Sequence, residues 1–232
     1  MEQWIEFARG PLFALTFLVM VLGLARQVVI QIYSLGISKG RRLQNAPWRR
    51  IAADAASWII PVRHLIKGTI FFSIVSFLSH IGMILVPLFL ADHIVLWEGL
   101  LGINLPQLGH SAADALTLGT ITCLILLLGC RLFIPRLRSM SQPVDYLLLL
   151  VILLPFVAGF LASHPGVNPV SWQLAMLVHL LSAEVLFVLI PFTKLAHVVL
   201  FVFDRISAVH WQLRPGAGDK VAEALFGKEA RV

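Results

Sequence analysis

Residues 179–197 read HLLSAEVLFVLIPFTKLAH, an apolar run with a histidine at each end. Read as one helix, the eighteen-residue separation is five turns, so both imidazoles leave one face about 27 Å apart along the axis. The hydrocarbon of a bilayer is about 30 Å thick. The run therefore predicts one imidazole near each membrane surface. His80 adds a third, deep in the apolar run FFSIVSFLSHIGMILVPLFL at 71–90. Ionisable groups in a membrane are costly and usually functional, and neutral imidazole is a strong ligand for haem iron.

The composition requires a membrane. Of 232 residues, 59% are hydrophobic and 13% charged, and the mean hydropathy is +0.89. A soluble domain with a polar surface is excluded. Cys123 and Cys130 share a helix face in one apolar run and read as small core residues; two thiols cannot hold a four-thiolate iron–sulfur cluster. The start MEQWIEFARG carries two acids and no basic leader, so the first apolar run is expected to be retained.

Five apolar segments predict an all-α integral membrane protein, a bundle of five transmembrane helices over residues 1–203. They cover about 11–35, 68–90, 113–130, 144–163 and 172–203, with a short tail at 204–232. Lys39, Arg41, Arg42, Arg49, Arg50, Arg63 and Lys67 lie between the first two segments, and Arg131, Arg136 and Arg138 between the third and fourth. No Lys or Arg occurs at 68–130 or at 139–193. The positive-inside rule then predicts an outside amino terminus and a cytoplasmic carboxyl terminus in a bacterial inner membrane. The same asymmetry explains the pI near 9.9 without a nucleic-acid partner.

The second and fifth segments run in opposite directions, so His80 and His179, each in an outer half, can face each other. His197 lies at the inner end and needs a partner at that depth. His64 is sixteen residues before His80, about 24 Å further in on a continuous helix. It either fills that role or marks the membrane surface, and Arg63 and Lys67 beside it either pair with haem propionates or do the same. His93 and Asp92, near the outer surface, are either solvated or exchange protons with a quinone. Glu184, inside the fifth segment, reads as a proton path, a haem-pocket partner or an interhelical hydrogen bond.

These residues resemble the gamma subunit of respiratory nitrate reductase, a five-helix dihaem cytochrome b, together with the DsrM-, HmcE- and TmcC-like membrane subunits. The likeness is strongest over His179–His197, with its eighteen-residue spacing and Pro-Phe-Thr-Lys-Leu-Ala-His ending, which looks like the family's fifth helix. Ser79–Pro87 resembles the segment around the outer haem ligand, and Arg131–Arg138 the third loop. The resemblance implies that His80 and His179 hold the outer haem and that His197 is one ligand of an inner one. It departs at Ile70, where nitrate reductase members carry the other inner ligand, and in lacking the quinol-site lysine of the outer loop.

The expectation is a cytochrome b subunit that carries electrons between the quinone pool and another subunit through b-type haem, two copies if both sites form. The partner is a cytoplasmic iron–sulfur protein, or a periplasmic cytochrome or hydrogenase. Two rival readings stand beside it: a haem-free membrane anchor or assembly subunit, and a small proton-coupled transporter.

Overall fold

The computed structural model describes residues 1–43, 48–59, 70–203 and 223. It is helical, with no strand among the described residues. Helix α1 (Glu2–Phe7) runs through a π-helical turn at Ala8–Leu12 into α2 (Phe13–Leu43). There follow α3 (Trp48–Ile59), α4 (Ile70–Phe89), α5 (Ala91–Leu101), α6 (His110–Phe133), α7 (Pro135–Ser139), α8 (Pro143–Ser163) and α9 (Trp172–Leu189). Among the described residues five stretches are long and apolar enough to cross a membrane: Glu2–Ser34, Ile70–Phe89, His110–Phe133, Pro143–Ser163 and Trp172–Phe192. The chain is a multi-pass helical membrane protein.

The chain forms two compact units, residues 1–20 with 65–189, and residues 21–64 with 190–232. In the first, α9 packs along α8 and α4 along α6, and α6 also meets α8. Val75, Cys123 and Leu127 are buried together, with Phe72 and Leu149 against them. Both cysteines are buried free thiols, as a small-residue core role requires. Ile84, Ile125, Leu147 and Val185 are exposed, the side chains that lipid rather than water would solvate.

Close contact between α4 and α6 depends on a glycine. Gly82 of α4 faces Thr120 of α6, and a Cβ there would overlap Thr120 Oγ1 and lie 3.0 Å from Thr120 Cβ and 3.2 Å from the Leu116 carbonyl oxygen. Lipid gives helices no hydrophobic reason to associate, so small residues that let backbones approach become the means of packing. A second layer is aromatic. Phe13 and Phe17 of α2 meet Trp97 of α5, with ring centroids 5.9 and 5.6 Å apart, and Phe187 of α9, at 5.9 and 6.1 Å.

Two segments differ from the sequence expectation. The first helix begins at Glu2, well before Pro11. Pro11 is absorbed in the π-helical turn, whose extra residue relieves the clash a proline ring makes with the preceding turn. The fifth segment is not one helix from 172 to 203. Helix α9 stops at Leu189, followed by 3₁₀ turns at Ile190–Phe192 and Lys194–Ala196, and helix resumes over 197–203. Pro191 has no N–H to continue the ladder, and Thr193 Oγ1 accepts from the Leu195 N–H at 3.3 Å to start the next turn. The five-turn spacing between His179 and His197 therefore does not hold. In the second unit Pro191 packs against Gly23, and its carbonyl accepts from Gln27 Nε2 at 3.2 Å.

Candidate functional site

The site is built around His179 on α9. Its Nδ1 lies 2.8 Å from the Pro155 carbonyl oxygen on α8. A carbonyl only accepts, so Nδ1 carries the proton and Nε2 keeps the lone pair. The ring can lie against α8 because residue 159, one turn beyond Pro155, is glycine. A Cβ at Gly159 would stand 2.7 Å from His179 Nδ1 and 2.9 Å from Cε1. Pro155, Gly159 and His179 thus form a seat that fixes both the tautomer and the plane of one imidazole.

A second imidazole lies parallel to it. The His93 ring, from the first turn of α5, is 4° from the plane of the His179 ring, with centroids 5.9 Å apart. Its Nδ1 faces the Val86 carbonyl oxygen at 3.4 Å, a long and weak bond. Burial, and after it the His179 ring, push the His93 pKa down to about 4, so the ring is neutral at physiological pH. The position of His93 follows from the local break after the second span. Pro87 lies in the last turn of α4, Leu90 is extended (φ −70°, ψ 136°), and α5 starts at Ala91 in a new direction. Trp97 Nε1 donates to the Pro87 carbonyl at 2.9 Å and the Leu108 N–H to the Phe89 carbonyl at 2.9 Å, tying α5 and its loop to the end of α4.

The other candidates are each described by their own surroundings. His80 is an exposed residue of α4, with Nδ1 donating to the Ser76 carbonyl at 2.6 Å. His197, in the second unit, is also exposed, and its Nδ1 donates to the Lys194 carbonyl at 2.8 Å. In both rings the lone pair is then on Nε2. Asp92, expected to work with His93, is exposed at the start of α5. Glu184 is 4% exposed, and neither carboxyl oxygen has a hydrogen-bond partner among the described residues. His64, Arg63 and Lys67 lie outside the described residues. The imidazole found against His179 belongs to His93, where the sequence pointed to His80.

One further histidine contact was not anticipated. His164 follows α8 and stacks on Phe160 with centroids 4.1 Å apart, and its Nε2 lies 3.4 Å from Asp114 Oδ2 at the start of α6. The motif Ser-His-Pro-Gly reads as a plain turn, and nothing local to it announces a partner fifty residues away.

No group of three or more His, Cys, Asp or Glu side chains that could hold a bare metal ion occurs among the described residues. Haem makes a smaller demand. Its porphyrin supplies four nitrogens, and the protein adds only axial ligands. A fixed imidazole with its lone pair on Nε2 and a second parallel imidazole beside it is a donor set of that kind.

No protein-family model matches the chain, and no solved structure matches it. A protein of Nitratidesulfovibrio vulgaris is 35% identical over 206 residues, which is 86% of this chain and 89% of that protein. The chain belongs to the family of that protein.

Proposed function

We propose that this family member is a cytochrome b-type subunit of a bacterial respiratory complex, carrying electrons between membrane quinone and a partner redox protein. The observation that supports this reading best is the seat of His179: an imidazole within a membrane span, its Nδ1 committed to the Pro155 carbonyl and its Nε2 left as the donor atom. Haem b, when bound, supplies one-electron chemistry inside the bilayer. His179 would hold it, with His80, His93 and His197 as the other candidate imidazole ligands for two haems. The Pro155 carbonyl keeps the His179 ring from turning and makes Nε2 more basic. The apolar side chains packed around the spans keep water away.

The distribution of Lys and Arg favours an outside amino terminus and a cytoplasmic carboxyl terminus in the cytoplasmic membrane. Basic loops on the cytoplasmic side suit the docking of an iron–sulfur protein; a periplasmic cytochrome or hydrogenase subunit is the alternative. Glu184, buried with neither oxygen hydrogen-bonded among the described residues, is the residue that favours a proton-coupled transporter as a second reading.

The test is haem quantitation on the full-length protein purified from native-type membranes, as its pyridine haemochrome. The expected result is a reduced b-type spectrum with one to two haems per chain. A colourless, folded protein overturns this reading in favour of a haem-free anchor, and substrate flux by that colourless protein points to the transporter.

A further inference from the structure

We infer that α3 lies flat on the membrane as an interfacial helix, with its apolar face set among the headgroups of anionic phospholipid. The inference does not depend on whether the protein binds haem. It starts from register. At about 3.6 residues per turn, Trp48, Ile51, Ala52, Ala55, Trp58 and Ile59 fall within one arc of about 120°. Arg49, Arg50, Asp54 and Ser57 fall on the rest of the circumference. A helix divided in this way normally buries its apolar arc against a neighbour. Here Trp48 and Ala52, on the apolar arc, are exposed, as are Arg49 and Ala53 on the other side. Within its own unit no described helix packs along α3.

Four observations point to lipid as what covers the arc. First, α3 cannot cross the membrane. It has 12 residues, three of them charged, against the roughly 20 apolar residues a span needs. Second, it cannot leave the surface either. Helix α2, which carries the first span, leads into it, and residues 60–69 alone separate it from the second span. A segment tethered to spans at both ends meets the bilayer at high effective concentration. Third, tryptophan stands at position 48 and again at 58, near the two ends of the arc, and indole favours the headgroup region. Fourth, the stretch 39–67 holds seven Lys and Arg and one acid, Asp54, a balance that suits an anionic leaflet. An arc of about three turns is also smaller than the roughly 800 Å² per side that a stable protein interface takes.

The experiment places a nitroxide at Ala52→Cys or at Ala53→Cys in the full chain, with Cys123→Ala and Cys130→Ala removing the native thiols. Each labelled protein is reconstituted in phosphatidylcholine bilayers with and without phosphatidylglycerol. Electron paramagnetic resonance reads the access of oxygen, which partitions into lipid, and of a water-soluble nickel chelate. With phosphatidylglycerol present, the label at 52 is expected to favour oxygen and the label at 53 the chelate. Arg49→Gln in the Ala52→Cys chain should lower the ratio of immersed to aqueous label about fivefold, the effect of one basic residue near an anionic surface. Omitting phosphatidylglycerol should lower it further. Equal chelate access at 52 and 53 overturns the interfacial placement. A label at 52 shielded from both reagents overturns it too, in favour of a second copy or a partner protein on that face. An immersed fraction that ignores both phosphatidylglycerol and Arg49→Gln overturns the part of the inference that names anionic lipid.

Discussion

Gly82→Val is expected to prevent the bundle from assembling, and Gly82→Ala to weaken it severely. Gly82 is buried where α4 crosses α6, and the space a side chain would need is already filled. A single methyl would overlap Thr120 Oγ1 and press on Thr120 Cβ at 3.0 Å and the Leu116 carbonyl oxygen at 3.2 Å. Thr120 cannot easily swing aside. It is 1% exposed, and its hydroxyl donates to the Leu116 carbonyl at 2.7 Å. The helices must therefore separate, and overpacking of this kind costs about 1–3 kcal/mol for small insertions. Replacing glycine in a helix interior returns at most about 1 kcal/mol of propensity, so the steric loss wins. Thermal unfolding of the purified protein in detergent measures it. Thr120→Ala, which removes the overlapping hydroxyl, should recover part of the loss in the Gly82→Ala background. Equal destabilisation by Gly82→Ala with and without Thr120→Ala would show that the contact is not the cause.

Gly159→Ala is expected to lower haem content at least tenfold while leaving the bundle folded. The added Cβ would stand 2.7 Å from His179 Nδ1 and 2.9 Å from Cε1. An imidazole ring is rigid, so it must tilt or withdraw as a whole, and in either case it loses the 2.8 Å bond to the Pro155 carbonyl. That bond sets the tautomer and direction of the ring, and loss of such a supporting contact typically costs tenfold to a hundredfold in metal affinity. The same change gains about 1 kcal/mol of helix propensity in α8. Stability and haem content should therefore respond differently, unlike the Gly82 substitutions, in which both fall together. Haem-to-protein ratio and melting temperature, measured on one preparation, check this. A full complement of haem in Gly159→Ala would mean that the seat against α8 is not what orients His179.

Much of the fold was legible because a bilayer imposes a length. A span needs about 20 apolar residues, and five such runs stand out from the basic connections between them. Their ends were less legible. The third run was expected from residue 113, and the helix begins at His110, since histidine, serine and alanine at a helix start carry no strong apolar signal. Pro191 was visible within the fifth run, yet proline is tolerated in membrane helices, and its presence alone could not distinguish a continuous helix from the break observed at Ile190–Ala196.

The sequence singled out His179, but not the ring that lies against it. His179 stands out as an imidazole among leucines and valines, and the structure gives it a fixed ring. Depth counting at 1.5 Å per residue pointed to His80 as its neighbour, an argument that holds only along unbroken helices. The turn at Leu90 redirects the chain and brings His93 back against α9. Pro87 three residues before the turn was the available signal. The role of Gly159 was invisible for another reason: it depends on contact with a ring twenty residues later in the chain.

The interrupted ladder at Ile190–Ala196 also makes this stretch the weak point of the last apolar segment. Local opening starts where backbone bonds are missing, so amide hydrogens there should exchange for deuterium sooner than those in the middle of α9.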